Sequence, residues 1–318
     1  MGERFVITRK GCDLAGERWP GGAQLVVLLH EGVSDRRGWR QVAQQLAPRL
    51  TVVVYDRRGY GESAVSAAPF THVEDLLAVL EREHAGRAWL VGASAGGGLA
   101  LDTALLAPER VAGLVLLGTA VSGAPEPELD PYTQQFGALL DTAIAAGNLE
   151  EVNRLETWLW LDGPSAPEGR VGGEARALAL DMNAIILRNA AREDEGSSGV
   201  DAWHRLDEVR IPVTVACGEL DVPFLIARSR ELAGRLPNAR YHQLPGMAHQ
   251  PYLEDPGPSS RPGARHARRR LSAGQHHAGL IPGAARHGRQ PRTHWRPGTS
   301  NAVQPIPIQW KPEHAAPL

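Results

Sequence analysis

The chain has 318 residues, a formal net charge of −2 and 42% hydrophobic residues, which is typical of a globular protein with a sizeable core. Its two cysteines, Cys12 and Cys217, exclude a disulfide framework and lack the Cys-x-x-Cys spacing of a metal site. No apolar run reaches the roughly 18 residues of a membrane span, and the N-terminal residues contain no apolar signal region. We therefore predict a cytoplasmic protein with no membrane partner.

The first part of the chain alternates between predicted strands and helices. Two short alternating segments predict strands joined by a turn at Lys10-Gly11, and two continuous apolar runs predict strands that are covered on both faces. A helix is expected after the first apolar run, and a capping box at Thr71–Glu74 opens another. These strands are expected at residues 4–8, 13–19, 25–30 and 51–56, and the first helix at 37–46.

The segment Trp89–Leu99 predicts a buried strand, a tight turn and a helix. The turn carries Gly-x-Ser-x-Gly, with Gly92, Ser94 and Gly96. Glycine on both sides of the serine lets the backbone pass closely, so that the serine hydroxyl is exposed at the tip of a strained turn. A serine at a helix N-terminus also lies beside free N–H groups, which favour developing negative charge. Another strand is expected at 111–117.

Strands that alternate with helices in this way predict an α/β fold, with a mostly parallel central sheet and helices on both faces. The alternation lapses between Ala124 and Leu206, where three helices are expected at 134–146, 149–161 and 174–191. Trp158 and Trp160 are expected to pack the segment onto the core. The alternation resumes with a strand at 211–217, a helix at 224–236 and a strand at 240–244.

Several of these segments resemble the α/β-hydrolase family. Besides the Gly-x-Ser-x-Gly turn, they are the strand end His30-Glu31-Gly32, the stretch Asp56–Ser63, the acid loop at 218–223 and the histidine loop at 245–254. The resemblance implies a triad in the chain order Ser94, Asp221, His249. Ser94 would be the nucleophile, His249 the general base and then acid, and Asp221 the residue that orients the histidine.

The resemblance also implies an oxyanion hole made by the backbone N–H groups of Ala95 and Gly32. Glu31 departs from the family, which usually has glycine beside this loop. A carboxylate there would oppose an oxyanion unless it points away or is paired, so Val33 stays open as an alternative to Gly32. Glu219 is a competing orienting acid, but Asp221 occupies the matching position. His30 is expected to be architectural.

The resemblance divides the chain. Residues 1–123 and 207–256 would form the hydrolase core in two parts, and residues 124–206 would form a helical cap over the site. The final segment, 257–318, differs in kind: it has ten basic residues against one acidic residue, many Pro and Gly, and six of the twelve histidines. Such a segment has too little to bury, and we expect it to be largely disordered.

Two explanations of this basic tail are open. In the first, a frameshift near residue 256 has replaced a native last helix; 32 Arg against two Lys indicate a GC-rich gene, and misread GC-rich DNA encodes Arg, Pro, Gly, Ala and His. In the second, the tail is a genuine basic arm for nucleic acid or anionic surfaces. We favour the first, and nucleic acid is not an expected partner.

The predicted function is a serine hydrolase that cleaves a small carboxylic ester or lactone through an acyl-enzyme. Serine at the turn argues against the haloalkane dehalogenases and epoxide hydrolases of this fold, which use aspartate. The resemblance implies no metal and no organic cofactor. A ligand-binding or inactive homologue with a misassembled triad is the alternative, and a carbon–carbon bond hydrolase or a cofactor-free haloperoxidase is less favoured. No oligomeric state is predicted.

Overall fold

The computed structural model describes residues 2–64, 69–189 and 198–255. Within them, eight strands form a single sheet, and helices pack on both of its faces. The strands are β1 (Glu3–Arg9), β2 (Cys12–Trp19), β3 (Leu25–Leu29), β4 (Thr51–Tyr55), β5 (Ala88–Ala93), β6 (Val111–Leu117), β7 (Val213–Gly218) and β8 (Ala239–Leu244). The basic tail at 257–318, with both explanations of it, lies outside the described residues.

The sheet has the order β1-β2-β4-β3-β5-β6-β7-β8. The pairs β1–β2 and β2–β4 are antiparallel, and every other pair is parallel. The helices of the described chain are α1 (Arg40–Leu46), α2 (His72–Arg82), α3 (Ala95–Leu106), α4 (Pro131–Ala145), α5 (Leu149–Thr157), α6 (Gly173–Arg188), α7 (Pro223–Arg235) and the single turn α8 (Pro251–Glu254). The predicted α/β class with a mostly parallel sheet is confirmed.

The central strands are apolar along their whole length because both of their faces are covered. In β3 all five residues are buried. Leu25, Val27 and Leu29 point to the core under α2, α3 and α7, whereas Val26 and Leu28 point to the core under α1. The β5 and β6 strands are built in the same way, so the loops that follow them leave the sheet from a rigid base.

A helical insertion connects β6 to β7, where the sequence predicts the cap. It consists of α4, α5 and α6, and α4 and α5 pack around Phe136, Val152 and Leu155 in a small core that also includes Val222 and Leu225 at the start of α7. The cap is therefore part of the observed fold, while its boundaries at 124 and 206 stay a prediction. No helix in the described ranges is long and apolar enough to cross a bilayer.

Two predicted helices differ from the observed ones. The helix expected at 37–46 begins as a 3₁₀ turn at Arg36–Trp39, where the Asp35 carboxylate accepts a hydrogen bond from the Arg37 N–H at 2.9 Å. The long helix expected at 149–161 becomes a π turn after α5, at Trp158–Asp162. It ends at Gly163, whose φ of 97° is in the left-handed region that favours glycine.

A buried charge cluster holds the loop between β3 and α1. The Arg36 side chain is 1% exposed and pairs with the equally buried carboxylates of Asp56 and Glu17. Asp56 also accepts hydrogen bonds from the backbone N–H groups of Arg36 and Glu62, both at 2.8 Å. Because the loop that starts at His30 ends in this cluster, its path beside the sheet is fixed.

We expect Arg36→Met to lower the free energy of unfolding by about 3–5 kcal/mol, since it leaves the buried Asp56 carboxylate without its cation, whereas Glu17 still pairs with Arg40. Chemical denaturation of the two proteins measures this difference. The control is Arg205→Met, which removes an exposed pair with Glu208 and should leave the denaturation midpoint unchanged. A loss for Arg36→Met no larger than that of the control would contradict the assigned role of the cluster.

Candidate active site

Ser94 lies at a sharp turn between β5 and α3. Its φ of 47° and ψ of −116° are uncommon for a residue with a side chain, and such strain persists only where the surroundings hold it. The Ser94 N–H donates to the Leu117 carbonyl at 2.8 Å, and the Ser94 carbonyl accepts from the Ala120 N–H at 3.2 Å. The turn is therefore tied on both sides to the loop after β6.

The two glycines of the turn are required by close approach. A Cβ on Gly92 would lie 2.3 Å from the Gly96 carbonyl oxygen, and a Cβ on Gly96 would lie 2.4 Å from the Leu29 carbonyl oxygen. Any larger residue would push α3 away from β5 or from the end of β3. The Gly-x-Ser-x-Gly spacing is therefore explained by packing.

Asp221 and His249 form a buried pair at the carboxyl ends of β7 and β8. The His249 Nδ1 lies 2.9 Å from the Asp221 Oδ2 and 3.1 Å from the Oδ1, and each residue is 3% exposed. Asp221 accepts two further hydrogen bonds, from the Val222 N–H at 2.7 Å and from the Cys217 thiol at 3.3 Å. These contacts leave the Nε2 of the imidazole as the nitrogen that can act on another group.

The electrostatics favour a charged imidazole. Burial lowers the pKa of His249, but the carboxylates of Asp221, Glu31 and Glu254 outweigh it and raise the pKa from 6.5 to about 9. The histidine is thus a stronger base than free imidazole. The proton on its Nδ1 is held by Asp221, which fixes the tautomer whenever the ring is neutral.

The Ser94 loop and the histidine pair meet at Gly118. This residue follows Leu117, the acceptor of the Ser94 N–H, and its φ is 49°. A Cβ on Gly118 would lie 2.9 Å from both the Asp221 Oδ2 and the His249 Nδ1. Within the described chain, Ser94 and His249 are not joined by a hydrogen bond. Such a contact is often long in a site without substrate and shortens when substrate binds.

The predicted oxyanion donors lie at two neighbouring elements. Ala95 is the first residue of α3, so its N–H has no acceptor within the helix. Gly32 begins the turn after β3, and in the described chain neither its N–H nor that of Val33 donates a backbone hydrogen bond. Both loop positions thus stay candidates. The loop itself abuts the serine turn, because a Cβ on Gly96 would lie 2.6 Å from the His30 carbonyl oxygen.

His30 has an architectural environment, as expected. Its Nδ1 lies 2.8 Å from the Glu31 carbonyl oxygen, and its Nε2 accepts from the Arg57 N–H at 3.0 Å. The same carbonyl accepts from the Arg57 guanidinium at 2.9 Å. The imidazole of His30 therefore ties the loop after β3 to the loop after β4.

The Glu31 carboxylate points into the site and is paired. It is 1% exposed, and its Oε1 accepts a hydrogen bond from the Gln250 side-chain amide. Its Oε2 has no hydrogen-bond partner within the described chain and lies 3.8 Å from the His249 Nε2. Burial raises the pKa of Glu31, although His249, Gln250 and Tyr252 oppose this. From the sequence, Glu31 could be identified as a departure from the family pattern, but its contact with His249 could not be predicted.

The cap contacts the histidine loop directly. The His249 N–H donates to the Trp160 carbonyl at 3.2 Å, and the two rings have centroids 4.8 Å apart. Arg170 bridges the two parts of the chain: it donates to the Gly246 carbonyl at 3.0 Å and pairs with Glu254 at 2.6 Å. Trp160 was expected to pack the cap onto the core. In the structure it also contacts His249 directly.

Two further side chains near Asp221, those of Glu219 and Cys217, were considered in the sequence. Glu219 is exposed and accepts from the Gly246 N–H at 2.9 Å, so it does not compete with Asp221 for the histidine. Cys217 was expected to be a plain core residue. It is buried, but its thiol also contacts Asp221 because it lies at the end of β7. The only sign of this contact in the sequence was that Cys217 and Asp221 lie close together along the chain.

The acidic groups of the site do not form a metal centre. In the ranges that the structure describes, no three His, Cys, Asp or Glu side chains are grouped in a way that could hold a metal ion. The arrangement suits proton transfer instead. An imidazole between two carboxylates can take up and release a proton.

Comparisons with known proteins place these observations in a family. The family model described as "alpha/beta hydrolase fold" matches residues 24–256. A putative carbamate hydrolase, RutD, of Caulobacter sp. (strain K31) is 30% identical over 239 residues, which are 72% of this chain and 85% of that protein. A putative 2-succinyl-6-hydroxy-2,4-cyclohexadiene-1-carboxylate synthase of Bacillus subtilis (strain 168) is 25% identical over 260 residues, or 80% and 91%.

Solved structures agree with this result. The esterase RhEst1 of Rhodococcus sp. ECU1013 superposes with a TM-score of 0.64 and covers 86% of this chain and 98% of its own. Its sequence identity is 22%, so this likeness concerns the fold alone.

We expect Gly118→Ala to separate Asp221 from His249, because the new methyl group would lie 2.9 Å from both side chains. The pKa of His249 should then fall from about 9 towards or below 6.5, since the imidazolium loses its nearest carboxylate. Titration of the imidazole by NMR measures the shift.

The matched control is Gly147→Ala. Gly147 also has a positive φ, 64°, but a Cβ there meets nothing within 4 Å. It reports the backbone strain without the clash, so the pKa of His249 should stay unchanged. If both variants titrated like the wild type, Gly118 would not support the pair.

Proposed function

The chain belongs to the α/β-hydrolase fold family, and we propose that it is a serine hydrolase that cleaves a small carboxylic ester or lactone through an acyl-enzyme. The observation that carries this proposal is the strained turn of Ser94, held one loop away from the buried pair of His249 and Asp221. A serine hydroxyl is a weak nucleophile, and it needs a base whose tautomer is fixed by a third group. These three residues offer that combination.

In the proposed first step, the Ser94 Oγ attacks the carbonyl carbon of the ester while the His249 Nε2 takes the hydroxyl proton. The carbonyl oxygen becomes an oxyanion, which would accept hydrogen bonds from the Ala95 N–H and from the N–H of Gly32 or Val33. Preorganised donors of this kind are each worth roughly a hundredfold or more in rate. The intermediate collapses when the carbon–oxygen bond breaks and His249 returns the proton to the leaving alcohol.

The second step reverses the roles. A water molecule gives a proton to the neutral His249 and adds to the acyl group on Ser94. Collapse of this second intermediate releases the acid and returns the proton to the Ser94 Oγ. Asp221 keeps its negative charge throughout and stabilises the imidazolium that forms twice in each cycle.

The names of the relatives do not agree on one reaction. A putative carbamate hydrolase acts on a carbonyl flanked by heteroatoms, whereas the Bacillus subtilis relative is named a synthase. Membership of this family therefore leaves the reaction to be argued from the site. The hydrolase class is that of the family; the ester bond, the triad and the acyl-enzyme are our proposal.

The cap and the core lie close together beside the candidate oxyanion loop. The space between the cap and the core, lined by Val33, Thr157, Asn183 and Gln250 among others, is too narrow for even a water-sized molecule. A substrate enters only when side chains or cap helices move, and a bulky one would require a larger displacement. In keeping with the proposed reaction, the expected partner is a small ester or lactone.

We expect a fluorophosphonate probe to label Ser94 of the wild-type protein, because the probe reacts with serines that a base activates. Mass spectrometry of the digested protein locates the label. Ser94→Ala should take up no label, and His249→Gln should slow labelling by about a thousandfold or more, since the base is lost.

Ser198→Ala is the control, because the Ser198 hydroxyl donates to Asp102 of α3 at 2.6 Å and has no hydrogen bond with Asp221 or His249 in the described chain. It should be labelled at the wild-type rate. Absence of label on folded wild-type protein would contradict the proposal and favour the inactive or ligand-binding alternative. A label on another residue would contradict the assignment of Ser94.

A further inference from the structure

The histidine of the site has a second carboxylate neighbour. Asp221 holds its Nδ1, and Glu31 faces its Nε2 from the opposite side, with 3.8 Å between the Glu31 Oε2 and the nitrogen. The Nε2 is the nitrogen that the proposed mechanism needs free. Glu31 therefore lies where it competes with the Ser94 hydroxyl for the same proton.

We propose that Glu31 is a positioning residue that shares one proton with His249 and thereby decides when the histidine is a free base. The catalytic role of Glu31 rests on the proposed function. The sharing of a proton between Glu31 and His249 does not depend on it. In one form the imidazolium faces the Glu31 carboxylate as an ion pair. In the other the proton has left the Nε2 and is bonded to the Oε2, and the net charge is unchanged.

The surroundings of Glu31 make a permanent free carboxylate costly. The side chain is 1% exposed, and its Oε2 has no hydrogen-bond partner in the described ranges, although an ionised carboxylate accepts several. Its Oε1 is already occupied by the Gln250 amide. The Gln250 amide and the Tyr252 hydroxyl favour the ionised carboxylate, and so does the imidazolium opposite the Oε2. Without the imidazolium, burial favours the protonated acid.

The neutral form is also the one that suits the oxyanion hole. Gly32, a candidate donor, directly follows Glu31, and the His30 carbonyl packs against Gly96 of the serine turn. A carboxylate at this position would repel an oxyanion, whereas a carboxylic acid would not. Transfer of the proton to Glu31 therefore frees the base and removes the opposing charge in a single step.

Charged and titratable groups on the neighbouring elements also face Glu31 and His249. Burial and the carboxylates of Asp221 and Glu254 act on His249, and the Glu254 charge is itself paired with Arg170. The Tyr252 hydroxyl lies 3.0 Å from the Ser34 Oγ and also interacts with Glu31. The Arg57 guanidinium donates to the Glu31 backbone carbonyl. Glu31 is the carboxylate on the Nε2 side.

The test is an NMR titration of the His249 imidazole in wild type and Glu31→Gln, with His249→Gln to assign the signal. Removing an opposite charge within 4–6 Å shifts a pKa by about 1–3 units. The midpoint of Glu31→Gln should therefore lie at least about one pH unit below that of the wild type. Glu219→Gln neutralises an exposed acid of the neighbouring loop and should titrate like the wild type. Equal midpoints in wild type and Glu31→Gln would overturn the proposal.

A measurement on the wild type keeps the proposal testable even if Glu31→Gln does not fold. In protein labelled with ¹³C at the Glu carboxyl carbons, the Glu31 signal should respond at the same midpoint as His249, because both report one proton. Glu31→Asp, which keeps a carboxylate, assigns that signal. A Glu31 carboxyl group that titrates independently of the histidine would overturn the proposal.

The pH dependence of fluorophosphonate labelling connects the pair to the chemistry. With Glu31→Gln, the acid limb of the labelling rate should move to lower pH by the same interval as the NMR midpoint. If the wild type were not labelled at Ser94 at any pH, the proposed function would fail, and the NMR result would still decide the role of Glu31. A shifted NMR midpoint with an unmoved labelling limb would overturn the positioning role.

Discussion

The buried pair of His249 and Asp221 is the interaction on which the rest of the site depends. Burial alone would make the imidazole a weaker base, and the carboxylates around it reverse that effect and raise its pKa to about 9. The pair is held where β7 and β8 end, and Gly118 at the end of β6 leaves just enough room for it. Because parallel strands present their carboxyl ends at one edge, the serine turn after β5 and the Glu31 loop after β3 reach the same place.

The cap belongs to this site as much as the sheet does. The π turn at Trp158–Asp162 presents the Trp160 carbonyl to the His249 N–H, and Gly163 packs closely against the Leu220 carbonyl beside Asp221. Arg170 joins the same segment to the histidine loop through Gly246 and Glu254. Displacement of the segment from Trp160 to Arg170 would therefore disturb the base itself.

The features that depend on local sequence patterns and motifs could be predicted from the sequence. Apolar runs located the buried strands, the capping box at Thr71 is present with both of its hydrogen bonds, and the Gly-x-Ser-x-Gly turn has the strained geometry that its spacing indicates. Contacts between distant segments could not be read in the same way. Nothing local indicates that Gly118 touches the histidine pair, that Trp160 caps it, or that the Glu31 carboxylate faces the Nε2, because these depend on how the loops cross above the sheet.

The proposed function requires that Ser94 becomes acylated during turnover. The most direct measurement is mass spectrometry of protein quenched with acid in the first moments of reaction with a slowly hydrolysed aryl ester. We expect a population heavier by the mass of the acyl group, with the added mass on the peptide that contains Ser94, and no such population in Ser94→Ala. Release of the alcohol at a steady rate with no acylated Ser94, and equally fast release by Ser94→Ala, would contradict it.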